Sequence, residues 1–259
     1  MNIVKAEWLK IMKTKFLWVL FSAYTVLFLL LFYQYTLNTS ANVIEPALKD
    51  PVNLYSLFIA MFSAFLNIVF AVAIGSHLAA KDYTYQTIQN LIQATGRYRS
   101  TAVQIAVLAA LILGFLIYIS LLGMVLGSFF QPVNQFLFLN LIKRLAVGFI
   151  TTFPIGLFAM TMSKLFKSTA KGNMLCIVLL LGQNFLPATD LTKYLNYLVP
   201  YYYVSEYSIN CFSNLQNMKA ITFQSVSTMT PLQGAVGIII YIAVCLLIQF
   251  IIDKKREYH

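Results

Sequence analysis

Six stretches of this chain, residues 16–35, 53–76, 101–130, 145–163, 172–188 and 233–252, contain no Asp, Glu, Lys or Arg. A helix of roughly 20 apolar residues crosses the hydrocarbon core of a bilayer. Inside that core every backbone N–H and C=O must be bonded internally, so separate apolar segments have to be helical. The pattern predicts an all-α polytopic membrane protein with six transmembrane helices. Charged residues make up 10% of the chain, against about 25% in a soluble domain. The 259 residues are read as one transmembrane domain, 1–259, with no room for a large soluble one. The first stretch follows a long amphipathic lead with no clear small-x-small cleavage site, so it is read as an uncleaved span.

The basic residues set the expected orientation. Lys5, Lys10, Lys13, Lys15, Lys81, Arg97, Arg99, Lys164, Lys167, Lys171, Lys254, Lys255 and Arg256 fall on one side, and Lys49, Lys143, Arg144, Lys193 and Lys219 on the other. Cytoplasmic loops carry the excess of Lys and Arg, so both termini are expected in the cytoplasm. Lys143 and Arg144 would then snorkel outward from the start of the fourth span. This distribution accounts for the net charge of +10 through an anionic leaflet rather than nucleic acid.

Three segments outside the spans carry further signals. In residues 2–15, Val4, Trp8 and Ile11 share one face and Lys5, Lys10 and Lys13 lie elsewhere, as in a helix lying in the cytoplasmic interface. In residues 81–100, Asp82 is a good N-cap and Gly96 a good C′ residue. Between them Ile88, Leu91 and Ile92 form an apolar stripe, opposite Gln86, Gln89, Asn90 and Gln93. That predicts a short amphipathic helix tied to a span at each end and exposed to a soluble partner. Residues 187–231 hold Tyr194, Tyr197, Tyr201, Tyr202, Tyr203, Tyr207 and Phe212, which favour the headgroup level. Short outer helices broken near Pro200 are expected there, as a lid or as an aromatic belt.

Catalysis has little to work with. The histidines are His77 and His259, and neither HExxH nor GxSxG occurs. Cys176, Cys211 and Cys245 show no metal-site spacing and read as small apolar residues. The charge-free spans weigh against an ion-coupled carrier, whose mechanism places ionisable groups within the membrane. The chain has no GxxxxGK[ST] phosphate loop, so ATP-driven work would need a separate ATPase chain. Ser56, Ser63 and Asn67 share a face of the second span, and Asn173 and Gln183 a face of the fifth, with Asn184 beside it. They line a partly polar translocation pathway, or they hydrogen-bond between helices. Gly123 and Gly127 form a GxxxG suited to close packing, and Pro154 should kink the fourth span. Six spans without an internal repeat do not easily enclose a pathway alone, which points to a dimer.

In this order the features resemble the membrane subunits of type-2 ABC exporters. In that family the second span runs into an acidic residue, a Gly-Thr pair, a leucine-rich helix and a turn with arginine. Asp82, Thr87, Leu91 and Arg97 stand at those places here, with Gln86 where glycine is usual. The opening Glu7, Trp8, Leu9 and Lys10 also looks like the family's start. The resemblance implies that Asp82, Thr87, Ile88, Leu91, Ile92 and Arg97 belong to a coupling helix docked on an ABC ATPase subunit. The loop 164–171, with Lys164 and Lys167, would make a second contact. It further implies two ATPase subunits holding ATP and Mg, two identical or related membrane subunits, and a bacterial cell membrane. This chain would bind no cofactor, metal or nucleic acid and catalyse nothing itself. Small members resemble lantibiotic-immunity permeases and exporters of phenol-soluble modulins, so the implied cargo is an amphipathic, toxin-like or antimicrobial peptide. Drug or lipid export and a non-transport scaffold or sensor subunit are the alternatives.

Overall fold

A computed structural model describes residues 3–39, 67–79, 97–128, 135–185 and 231–255. The described residues are all helical apart from two short links, with no strand among them. The helices are α1 (Ile3–Met12), α2 (Lys15–Thr39), α3 (Asn67–Ala79), α4 (Arg97–Ser128), α5 (Gln135–Phe166), α6 (Thr169–Phe185) and α7 (Pro231–Lys255).

Three windows are long and apolar enough to cross a membrane: Tyr98–Gly123 in α4, Gly148–Phe166 in α5 and Leu232–Lys254 in α7. Helices α2 and α3 carry shorter apolar stretches, Lys15–Leu30 and Asn67–Ala79. Large apolar side chains stand on the outer surface, among them Trp18, Val19, Leu30, Ile239 and Leu247. A water-soluble monomer rarely exposes so many large apolar side chains. These features suggest a membrane-embedded protein.

Two boundaries differ from the sequence expectation. Residues 97–100 form the first turn of α4 and not the end of a cytoplasmic element. Helix α5 begins ten residues before the expected span, because the stretch from Gln135 to Arg144 contains no glycine or proline to stop it. Lys143 and Arg144 therefore lie within α5. At 1.5 Å per residue, Arg144 stands about 30 Å from Lys164, one hydrocarbon thickness away. The helix continues through Pro154.

The links are encoded locally. Helix α5 ends in a Schellman closure: the amide of Lys167 donates to the carbonyl of Lys164 and that of Ser168 to the carbonyl of Ser163, at 3.4 and 3.2 Å. Lys167 takes the left-handed conformation this closure needs, at φ 50°. Ser168 then caps α6, its Oγ accepting from the amide of Lys171 at 3.4 Å. At the other link, Trp18 Nε1 donates to the carbonyl of Met12 at 2.9 Å and ties the end of α1 to α2.

Side-chain contacts fix the direction of each helix. Phe16 at the start of α2 stacks on His77 near the end of α3, ring centroids 4.4 Å apart. Ser76 near the end of α3 donates to Asn173 near the start of α6. Thr101 near the start of α4 meets Lys164 near the end of α5 and Asp253 near the end of α7. Thus α2 to α7 alternate in direction, and one end of the bundle gathers the starts of α2, α4 and α6 and the ends of α3, α5 and α7. Helix α1 leads into α2 at this end and packs against α4.

The core lies along α4 and α5. Phe70 and Phe115 stack at 3.5 Å, and Phe21 meets both edge-on at 5.4 Å. Of the three membrane-length helices α5 is the most enclosed and α7 the least. Helices α3 and α5 approach backbone to backbone: a Cβ built on Gly75 would fall on the carbonyl oxygen of Gly156.

Candidate functional site

The end of the bundle that gathers those helix termini is basic. Lys5 and Lys13 in and after α1, Lys15, Arg99, Lys167, Lys171 and Lys254 are exposed. Among the described side chains the one carboxylate is Asp253, and it is buried at 3% exposure. The surface at this end therefore offers cations without neighbouring anions, apart from side chains outside the described residues.

Beneath that surface lies a buried polar junction. Thr101 Oγ1 donates to Asp253 Oδ2 at 2.6 Å and accepts from Lys164 Nζ at 2.7 Å. One hydroxyl thus joins α4, α5 and α7. Lys164 is as buried as Asp253, at 3%. Opposite charges on neighbouring helices offset each other's desolvation, which neither would tolerate alone. One turn deeper, Gln249 Nε2 donates to Thr161 Oγ1 at 2.8 Å, again between α7 and α5. Cys245, Gln249 and Asp253 recur every four residues, and all are buried, whereas Leu246, Leu247, Phe250 and Ile251 between them are exposed. This inward stripe of α7 becomes steadily more polar toward the basic end.

The residues singled out from sequence fall unevenly on this frame. Ser56, Ser63, Asp82, Thr87, Ile88, Leu91 and Ile92 lie outside the described residues, as does the aromatic segment 187–230. Arg97 opens α4, and Gln183 and Asn184 occupy the last turn of α6, with all three side chains outside the description. Asn67 and Asn173 are described, and both are engaged between helices. Asn67 Oδ1 accepts from Tyr24 Oη at 2.9 Å, joining α2 and α3. Asn173 Oδ1 accepts from Ser76, joining α3 and α6.

Lys167 is exposed at the link between α5 and α6. Lys164 is a correction. It was expected in a cytoplasmic loop 164–171, but that loop reduces to Lys167 and Ser168, because the Schellman closure lets α5 run to Phe166 and the serine cap starts α6 at Thr169. The Lys164 ammonium therefore turns inward to Thr101.

Sequence reasoning missed the junction because the charged residues were taken as span boundaries. The spacing of Cys245, Gln249 and Asp253 was the available signal. It also missed the close crossing of α3 and α5, which Ala71, Gly75 and Ala79, a stripe of small residues four apart, could have revealed. A second tight contact, where a Cβ on Gly172 would meet Ser163, had no such pattern. Cys176 and Cys245 are buried free thiols, as expected of small apolar residues. No metal-binding cluster of His, Cys, Asp and Glu occurs among the described residues. No protein-family model, curated protein or solved structure matches the chain.

Proposed function

We propose that this protein is the transmembrane subunit of an ATP-driven exporter of the type-2 ABC kind. One observation carries the reading: both attachment points of the segment 80–96, Ala79 and Arg97, lie at the basic end of the bundle. The segment whose sequence carries the apolar stripe of Ile88, Leu91 and Ile92 thus joins α3 to α4 on the side where a cytoplasmic ATPase would sit. The resemblance at Asp82, Thr87, Leu91 and Arg97 points the same way, as does α1 packed on α4 beside that end.

In this account the chain has six spans, with both termini cytoplasmic in a bacterial cell membrane. It binds no nucleotide. Two ABC ATPase subunits hold ATP and Mg, and two membrane subunits enclose the path. The segment 80–96 is the main docking element, and the exposed Lys167 link is a second contact. ATP-driven closure of the ATPases displaces the base of α4 and switches the spans between states as rigid bodies. The predominantly apolar spans suit an amphipathic or lipid-like cargo better than a charged polymer. We infer an amphipathic peptide, exported as a product or cleared in self-protection.

Transport in reconstituted vesicles tests the reading. Purified complex should move a fluorescent amphipathic peptide only when ATP and Mg are supplied on the ATPase side. Movement driven by an imposed proton or sodium gradient without ATP would establish a carrier instead. No movement of any peptide, drug or lipid probe under either condition would leave a scaffold or sensor subunit.

A further inference from the structure

We propose that the Thr101–Lys164–Asp253 junction is a clamp that makes the basic ends of α4, α5 and α7 move as one body. The clamp rests on the geometry; the direction of the force it carries rests on the exporter reading. Thr101 lies one turn beyond Arg97, where the segment 80–96 enters α4. Displacement delivered there reaches Thr101 before any deeper contact of that helix. Its hydroxyl engages a cation on α5 and an anion on α7 simultaneously, at 2.7 and 2.6 Å.

Separating these helices would leave a buried ammonium or a buried carboxylate without its bridging partner. In a low-dielectric site that is strongly disfavoured, so the junction resists relative sliding more than an apolar contact does. The Gln249–Thr161 bond supplies a second rung between α5 and α7. Most of the surface of α7 faces outward; along its inward face the rungs add to apolar packing by Ile238, Cys245 and Tyr241, which meets Phe158 of α5 edge-on. Tyr98 stacked on Phe250 at 4.8 Å flanks the junction on the α4–α7 side and keeps the two helices in register. Helices α2 and α3, by contrast, meet α4 and α5 through stacked and edge-on rings, the Thr25–Tyr118 hydroxyl pair and the Gly75–Gly156 crossing, contacts that bury no opposite charges.

The test places spin labels through Arg99→Cys and Lys254→Cys, two exposed positions on α4 and α7, in a background with the native cysteines replaced. The full-length protein is measured in lipid nanodiscs by dipolar broadening. The parent should give one narrow distance. Thr101→Val and Asp253→Asn should each add a second, longer population. The apolar pair Lys164→Met with Asp253→Leu keeps the site filled if a single charge change prevents folding, and it should show the same second population. A distance as narrow as the parent's in every folded variant overturns the clamp.

A second reading separates a moving clamp from a merely structural one. In the complex with its ATPase, the parent's Arg99–Lys254 distance should stay constant with and without ATP, while in Thr101→Val it should become ATP-dependent. An ATP-dependent distance in the parent overturns the proposal. If no ATPase associates, the exporter reading fails, and the nanodisc distances still decide the clamp.

Discussion

Replacing Gly75 with alanine tests the helix crossing on which the bundle is built. A Cβ at this position would fall on the Gly156 carbonyl oxygen, 3.0 Å from the carbonyl carbon and 3.3 Å from Cα. Carbon atoms pack best at about 3.5–4.0 Å, and a backbone carbonyl cannot rotate aside, so α3 and α5 must part by on the order of 1 Å. The separation loosens the packing of Gly156 against Ala71 and Ile112. Overpacking of this kind costs about 1–3 kcal/mol. The added methyl returns roughly 0.5–1 kcal/mol of helix propensity. A net loss of up to about 2.5 kcal/mol remains, which lowers Tm by up to about 10 °C for a chain of this size.

Thermal unfolding in mild detergent, followed with a thiol-reactive dye, measures the shift, because the buried Cys176 and Cys245 become accessible as the bundle opens. Gly114 is the internal control: it is exposed, and a Cβ there would meet nothing within 4 Å. Gly114→Ala should leave Tm unchanged or raise it. A Gly75→Ala protein whose Tm equals or exceeds that of Gly114→Ala would refute the close crossing.

Three further outcomes can be read in the same assay. Gly172→Ala should destabilise, and Ser163→Ala should not restore it, because the Cα and Cβ of Ser163 also lie 2.8 Å from the new methyl; full rescue would contradict the contact. Lys167→Gly should raise stability by about 1 kcal/mol by relieving a side chain held in the left-handed region, whereas a loss would mean that the closure does not need φ 50°. Tyr24→Phe should cost about 0.6 kcal/mol, and at most about 1.7, because it removes the donor to Asn67; no change would show the bond to be inconsequential.

Much of the fold was legible because hydropathy marks the segments long and apolar enough to leave water. The apolar runs located α2, α4, α6 and α7 to within a few residues. Trp8 and Ile11, placed on one face of the N-terminal helix, are half-buried and buried, while Lys5 is exposed. Hydropathy failed where a helix is stabilised by something other than lipid contact. The first ten residues of α5 include a basic pair, and a hydropathy window stops at charge although the backbone does not. Lys164 and Asp253 looked like membrane boundaries, because one-dimensional sequence cannot show that two charges on different helices share one threonine. Asn67 and Asn173 could be recognised as polar groups needing partners, but the partners Tyr24 and Ser76 lie 43 and 97 residues away. The stripe Ala71, Gly75 and Ala79 marks a face of α3 fit for close packing, but its partner Gly156 is hidden for the same reason.

In the proposed exporter this chain receives its driving force from a separate ATPase through the segment 80–96. The most direct measurement is the ATPase content of the tagged, full-length protein purified from its host membrane in mild detergent. An ABC ATPase chain is expected in one-to-one ratio with the parent, and its loss from Leu91→Asp with Ile92→Asp while membrane insertion is unchanged. A parent that purifies without any ATPase, or a variant that retains it in full, would rule out docking through this segment.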